Sequence, residues 1–542
     1  MVRLLSEYAS AQAALQPERT AVRMGNDSLT YSELESLSNR IARALKQSGC
    51  RRGDRVGLLL EKSPDTIAAM IAVIKAGCAY VPLDANNPPV RLVEILRACQ
   101  PRVLLCSSST LALAAQLAQG PCGSGAPLVG SLANRLADAA WPGPAFDRQD
   151  IALLGDDSVA GEGSSDDVAH LLFTSGSTGR PKGVAITHTN VIAFVEWAVR
   201  YFRLDDQDRL SGHAPLHFDL STFDIYGTLA AGAQLHLVAP ELNLLPNKLA
   251  QFIRDSGLTQ WFSVPAVLAH LAKCDMVGHG DFPRLKRVLW CGEVLPTLVL
   301  TYWMRRLPHV EFTNLYGPTE TTIASSYYTV KEVPLEPTAP VPIGTACAGE
   351  ALMVLDESLR AVPAGQSGQL FIGGAGLSPG YWNDPEATAR AFLAWSDGCG
   401  VRKRLYRTGD HARVGPDGLV YFLGRSDSQI KSRGYRIELG EVESALSTID
   451  ALRESAVVSI DSGGWQGQSI CCAFVPSAPG AATPASLRSC LIRHVPSYML
   501  PQHWLPLDRL PRNGNGKIDR RQLKEEFKRK CGGEIHELPA RH

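Results

Sequence analysis

The chain has 542 residues, 45% of them hydrophobic and 20% charged, with 54 basic side chains balancing 54 acidic ones. That size exceeds a single compact core and that composition is ordinarily globular, which excludes disorder, collagen-like repeats and a small disulfide scaffold. Zero formal charge gives no global field favouring nucleic acid or an anionic membrane. The densest basic stretch, Lys517 to Lys530, is interrupted by Asp519, Glu525 and Glu526 and reads as a solvated helix face.

Thirteen cysteines are scattered from Cys50 to Cys531 with no C-x-x-C pair. That pattern predicts free thiols in a reducing compartment, not a disulfide framework or a zinc ribbon. The N-terminus lacks the basic-then-apolar order of a signal peptide. The apolar run Ile67–Ile74 is eight residues long, far short of the roughly 20 that span a bilayer. A soluble cytoplasmic protein with neither nucleic-acid nor membrane partner is expected.

In chain order, Val56–Leu60 suits a buried strand. Ser63, Pro64 and Asp65 follow as N-cap, first-turn proline and first-turn acid. Ile67, Met70, Ile71 and Ile74 recur at helical spacing and Gly77 can end the helix. Tyr80–Leu83 returns as a strand, and this β-α-β order predicts a parallel sheet covered by helices. Residues Gly155 to Asp167 read as an exposed, flexible loop. After the strand-like Leu419–Leu423 the chain turns polar around Gly424–Ser428. Beyond it, helices over Glu438–Leu446 and Ala485–His494 and strands over Ala456–Ile460 and Ile470–Val475 suffice for a small α+β unit. No internal repeat is visible.

Residues 171–184 read LLFTSGSTGRPKGV. A buried strand runs into small hydroxylated residues whose backbone N–H groups can wrap phosphate oxygens, with Lys182 adding positive charge. The spacing does not fit a Walker loop, because Pro181 stands five places after Gly176. Further segments agree in order: Lys75-Ala76-Gly77 with Tyr80-Val81-Pro82-Leu83-Asp84, Asn314-Leu315-Tyr316-Gly317-Pro318-Thr319-Glu320-Thr321, Gly380-Tyr381-Trp382, and Tyr406-Arg407-Thr408-Gly409-Asp410. They continue through Gly424-Arg425-Ser426-Asp427 to Asn515-Gly516-Lys517-Ile518-Asp519.

With these segments the chain resembles, over nearly its whole length, the adenylate-forming superfamily of nonribosomal peptide adenylation domains, acyl-CoA synthetases and firefly luciferase. The resemblance implies an α/β fold with a large N-terminal domain of stacked α/β sheets over residues 1–425. A small mobile α+β C-terminal lid over 426–542 would hinge near Asp427. It implies attack of a carboxylate on the α-phosphorus of ATP, with Mg²⁺, giving an acyl-adenylate and pyrophosphate. Thr174, Ser175, Gly176, Ser177, Thr178, Gly179 and Lys182 would form the loop over the β- and γ-phosphates. Glu320 would hold Mg²⁺, Thr319 would bond the α-phosphate, and Tyr316 would stack on adenine. Asp410 fits the ribose diol, since a carboxylate can accept two hydrogen bonds, with Arg425 nearby. Lys517 would bridge the substrate carboxylate and the α-phosphate. After adenylation the small domain would rotate about Asp427 and withdraw Lys517.

Asp219, in LHFDLSTFDIYG, matches the position that grips a substrate α-ammonium; the alternative is a helix-capping acid. An unpaired buried carboxylate is costly, and a ligand ammonium is its natural partner. By the same alignment the pocket is lined by Leu220, Phe223, Phe262, Leu289, Cys291, Leu315, Ile323 and Ala324. That lining carries nothing to pair a polar side chain and leaves little room for Trp or Tyr. A small apolar amino acid follows, proline first by similarity to stand-alone ligases that load proline onto a carrier protein, alanine second, with 2-aminobutyrate and valine also open. His217 is a weaker candidate for the substrate carboxylate or the acceptor channel. The sequence holds no carrier-like or condensation segment. For a free-standing chain the expected acyl acceptor is an external phosphopantetheinylated carrier protein, with coenzyme A second; a domain excised from a larger synthetase is the alternative. An acyl-CoA synthetase acting on an unaminated acid, and a nucleotide-binding regulatory protein with a degenerate site, are the competing readings. His411 and Ser432 depart from the family pattern.

Overall fold

A computed structural model describes residues 2–119, 125–134, 144–159, 163–176, 181–336, 338–396, 402–425, 428–461, 468–513 and 517–531. The chain forms two compact units. The first comprises Met1–Ala85, Leu92–Phe173 and Lys182–Ser426; the second comprises Asp427–His542 together with Asn86–Arg91 and Thr174–Pro181. The sequence reading assigns those two short segments to the large domain. Within the second unit, Arg91 bonds Glu441 and the Ser175 hydroxyl donates to the Arg436 carbonyl at 2.6 Å.

Among the described residues the first unit is built on two large, mainly parallel sheets. One has nine strands and runs from Thr345–Ala346 through Ser326–Val330, Glu311–Tyr316, Arg287–Trp290, Gln260–Ser263 and Arg209–Gly212 to Gln234–Leu237, Thr20–Met24 and Asp27–Thr30. The other has seven, in the order Gly380–Tyr381, Lys182–Thr187, Val168–Thr174, Ala79–Pro82, Arg55–Leu59, Val103–Cys106 and Leu128–Ser131. A five-stranded antiparallel sheet holds Glu350–Leu355, Ser367–Gly374, Phe392–Ser396, Arg402–Val414 and Val420–Arg425.

The helix Pro64–Lys75 shows why the two large sheets stack. Ser63 caps it through the Thr66 amide, Pro64 occupies the first turn, and Gly77 ends it at φ +75°. It is apolar all round, so it must be covered on every side. It packs in one core with strand residues of both sheets, among them Val22, Leu235, Val56 and Tyr80. Its one buried cation, Lys75, is neutralised by Glu35 at 2.7 Å and bonded to Asn39 at 2.7 Å.

The second unit contains the hairpin Gln429–Ser432 with Tyr435–Glu438 and a three-stranded sheet of Leu452–Asp461, Gln468–Pro476 and His503–Pro506. Helices span Leu439–Leu446, Pro484–Leu491 and Arg520–Cys531. The Pro484 helix starts one residue before the expected place because Thr483 and Ser486 form a capping box around Pro484. Ser432, outside the family pattern, spends its hydroxyl on the Gln468 carbonyl at 3.0 Å.

Of the expected loop after Gly155, residues 155–158 are exposed and 163–165 half-buried, and its described ends are pinned by Arg40 to Asp156 and Arg52 to Asp167. No disulfide joins the cysteines among the described residues. No helix among them is long and apolar enough to cross a membrane.

Candidate active site

The parallel strands of the nine-stranded sheet end together, and ligand sites of such sheets lie beyond the carboxyl ends of their strands. The strand Glu311–Tyr316 ends in a loop that returns antiparallel as Ser326–Val330. It is tight: a Cβ on Gly317 would lie 2.6 Å from the Ala324 Cα. The Ser325 amide bonds the Tyr316 carbonyl at 2.8 Å. Thr322 and Ile323 both take positive φ, 58° and 67°, a conformation that costs a β-branched residue on the order of 1–3 kcal/mol. The Thr322 hydroxyl offsets part of this by donating to the Gly376 carbonyl at 2.7 Å. This loop brings together Thr319, Glu320 and two of the expected pocket residues, Ile323 and Ala324.

Glu320 is 1% exposed and accepts a 2.7 Å hydrogen bond from the Tyr381 hydroxyl. Tyr381 pairs across the sheet with Val184, which sets its ring beside Lys182; the Lys182 Nζ lies 5.5 Å from the ring centroid. One cation, one phenol and one carboxylate are thus linked. Sequence reasoning places Tyr381 in a family segment without giving it a role.

Asp410, on the strand Arg402–Val414, stands opposite Arg425 on Val420–Arg425. The Arg425 Nη1 donates to its Oδ1 at 2.5 Å, and the Tyr316 hydroxyl donates to its Oδ2. Burial, and then the Asp410 charge, push the Tyr316 phenol well above its ordinary pKa, so it stays a donor. Tyr316 therefore orients Asp410, a role beyond the expected adenine stacking. Each bonded oxygen retains acceptor capacity for a ribose hydroxyl.

The eight apolar residues expected to line the pocket form part of one buried cluster. Leu220, Phe223, Phe262, Leu289, Cys291, Leu315, Ile323 and Ala324 pack with Phe194, Trp197 and Cys347 among others. Phe223 meets Phe194 edge-on at 5.4 Å and Phe262 at 5.8 Å, contacts that add rigidity beyond area burial. Phe194 and Cys347 escaped sequence reasoning, since both lie outside the recognised segments. Asp219 precedes the helix Leu220–Ala231 at its N-cap position, and its side chain makes no capping hydrogen bond. The capping alternative is therefore not met. His217 lies 4.0 Å from Asp84, and burial lowers its pKa while Asp84 opposes the shift.

In the second unit Thr174 and Ser175 are described, with Ser175 buried, while Ser177, Thr178 and Gly179 lie outside the described residues, as does Asp427. Lys517 is exposed, and its amide bonds Asn513 Oδ1 at 3.1 Å. Its carbonyl accepts from the Asn513 amide at 2.8 Å.

The sequence matches the family described as AMP-binding enzyme over residues 9–382, and the AMP-binding enzyme C-terminal domain over residues 441–517. The chain belongs to the AMP-binding enzyme family. It is 34% identical over 96% of its length to tyrocidine synthase 3 of Brevibacillus parabrevis. It is 31% identical over 94% to gramicidin S synthase 2 of Brevibacillus brevis. It is also 35% identical over 96% to the phosphinothricin tripeptide synthetase PhsB of Streptomyces viridochromogenes. It spans only 8%, 11% and 42% of those relatives.

Among solved structures, the Vibrio cholerae adenylation domain AlmE in complex with glycyl-adenosine-5′-phosphate matches with TM-score 0.81 and 25% identity, covering 97% of this chain and 98% of that one. Holo-PA1221, a nonribosomal peptide synthetase protein containing adenylation and PCP domains, matches with TM-score 0.79 and 28% identity over 96% of this chain and 84% of that one. These likenesses identify an adenylation domain of the adenylate-forming superfamily, with the expected large and small α/β parts.

Among the described residues no group of three or more His, Cys, Asp or Glu forms a metal cage. A single buried carboxylate such as Glu320 fits Mg²⁺, which commonly takes one or two carboxylates and leaves its other positions to phosphates and water.

Proposed function

We propose that this adenylation domain activates a small apolar amino acid, proline first and alanine second, with ATP and Mg²⁺. It then passes the aminoacyl group to the phosphopantetheine thiol of a carrier protein. The observation that carries this reading is the convergence of eight apolar residues in one buried cluster, which includes Leu220, the residue directly after Asp219 at the start of its helix. The apolar wall selects against charged and amide side chains, and Asp219 supplies the partner for an α-ammonium.

In the first step a substrate carboxylate oxygen bonds to the α-phosphorus and the bond to pyrophosphate breaks. Charge grows on the phosphoryl oxygens, so oriented donors and cations matter more than a base. Lys517 holds the attacking carboxylate against the α-phosphate, Thr319 bonds that phosphate, and Lys182 with the Thr174–Gly179 segment accommodates the leaving group. Asp410, oriented by Tyr316 and Arg425, holds the ribose. Mg²⁺ at Glu320 supplies charge neutralisation when bound. In the second step the thiol sulfur bonds to the acyl carbon, AMP departs and the thiol proton is released. Small-domain rotation about Asp427 separates the two steps. The carrier acceptor is supported by the PCP domain that accompanies adenylation in PA1221.

Amino-acid-dependent pyrophosphate release, with hydroxylamine trapping the adenylate, tests the reading across the twenty amino acids, 2-aminobutyrate and propionate. A maximum at proline or alanine is expected. A maximum at propionate overturns the ammonium role of Asp219 and favours an acyl-CoA synthetase.

A further inference from the structure

A second acid lies five residues beyond Asp219 on the same apolar helix. Asp224 is 1% exposed, and neither carboxylate oxygen has a well-formed hydrogen bond among the described residues. Its strongest electrostatic neighbour is Lys62, the residue just before the Ser63 cap of the helix Pro64–Lys75. Burial holds the Asp224 carboxyl well above the usual carboxylate range, against the pull of Lys62 and the Ala214 amide. Burial likewise pushes the Lys62 amine down to about 8, with Asp224 opposing.

The Lys62 ammonium is committed to backbone. It donates to the carbonyls of Gly212 at 2.9 Å and His213 at 2.8 Å. Gly212 is the last residue of the strand Arg209–Gly212, and His213 opens the loop that ends at Asp219. His213 is fixed on its other side by Asn243 at 2.7 Å and by the Trp261 ring at 5.0 Å. At the far end of the loop the Ser221 hydroxyl bonds the Phe218 carbonyl at 2.7 Å. Lys62 thus grips the loop where it leaves the sheet, while the helix that receives the loop carries Asp224. A buried ammonium is costly without acceptors; the two carbonyls supply them, and Asp224 on the receiving helix favours its charged form. The strand end and the helix start are thereby drawn to one arrangement, with Asp219, Leu220 and Phe223 carried on it.

We propose that Lys62, balanced by Asp224, is a positioning residue for amino-acid recognition, which sets the loop and helix start that present Asp219 to the substrate ammonium. The inference rests on the function proposed above.

The test uses the full chain and pyrophosphate exchange with proline or whichever acid the wild type prefers. Lys62→Met keeps length and removes the donors; it is expected to raise the KM for the amino acid at least tenfold and the KM for ATP less than twofold. Lys62→Arg, which can still donate to both carbonyls, is expected to stay within threefold of wild type. Asp224→Asn moves the amino-acid KM the same way by a smaller factor. The double variant is no worse than Lys62→Met alone, because the two act as one unit.

Equal rises in both KM values, or additive effects of the two substitutions, overturn the proposal. If Lys62→Met does not fold, Lys62→Arg and Asp224→Asn still decide it: an unchanged amino-acid KM in Asp224→Asn with a tenfold rise in Lys62→Arg contradicts the pairing. Wild-type preference for an unaminated acid overturns the proposed function. The variant-to-wild-type ratios on that acid still report on the positioning role.

Discussion

The Tyr381 hydroxyl and the buried Glu320 carboxylate are bonded at 2.7 Å, although 61 residues separate them in the chain. Lys182 sits over the same tyrosine ring. Partners of this kind orient a metal-holding carboxylate, and removing one typically costs roughly 10- to 100-fold in metal affinity. Tyr381→Phe keeps the ring under Lys182 and deletes only the donor. The Mg²⁺ concentration giving half-maximal pyrophosphate release is expected to rise about tenfold, with little change in the KM for ATP at saturating Mg²⁺. An unshifted Mg²⁺ curve removes Glu320 from metal binding or Tyr381 from its support.

Lys517→Ala is expected to slow adenylate formation by orders of magnitude while ATP affinity changes little, since the lost cation acts on the developing charge. Single-turnover formation of the hydroxamate, alongside equilibrium ATP binding, checks it. A rate within twofold of wild type excludes Lys517 from the chemical step.

Asp219→Ala should weaken the amino acid far more than ATP, because it leaves the substrate ammonium without its partner. The complementary measurement compares proline with tetrahydrofuran-2-carboxylate in the wild type. Parity between the two contradicts the ammonium role.

Phe223 has no exposed surface and is held edge-on between Phe194 and Phe262. Phe223→Ala is expected to destabilise the chain by about 3–5 kcal/mol, as large-to-small core substitutions do. The same change should shift activation toward bulkier amino acids such as leucine and phenylalanine. Denaturant unfolding measures the first effect and the amino-acid panel the second; a destabilised variant with the wild-type preference would place Phe223 in the core but outside the pocket.

Burial holds four imidazoles neutral: His170 is pushed down to about 3, and His188, His213 and His236 to about 4. The unfolded chain takes up these protons near pH 6.5 and the folded chain does not. Their contribution to stability is therefore full above about pH 6.5 and is lost as pH falls toward about 4. The shifts correspond to roughly 3–5 kcal/mol each, the largest at His170. Thermal unfolding should show Tm falling steadily from about pH 7 to about pH 5. His170→Phe, which keeps the stack on Tyr80 at 4.9 Å, should flatten part of that slope; an identical slope would assign it elsewhere.

Much of this protein was legible in order along the chain. Ser63, Pro64 and Gly77 delimit their helix as local cap chemistry requires, and the β-α-β order around it matches the parallel sheet. The eight residues expected to line a pocket, dispersed from Leu220 to Ala324, do meet in one cluster. They were reached by resemblance to a family and not by periodicity, which marks them only as apolar.

The sequence by itself determined what acts over a few residues: caps, turns, apolar spacing and the polar segments that end strands. The tertiary structure alone decided the pairings across elements. Tyr316 with Asp410, Tyr381 with Glu320, and Lys62 with the Gly212 and His213 carbonyls are separated by 94, 61 and about 150 residues. Capping and periodicity fade within a turn or two, whereas these contacts depend on which strands lie side by side. Strand order is set by burying apolar faces collectively, a property of the whole core that no local window contains.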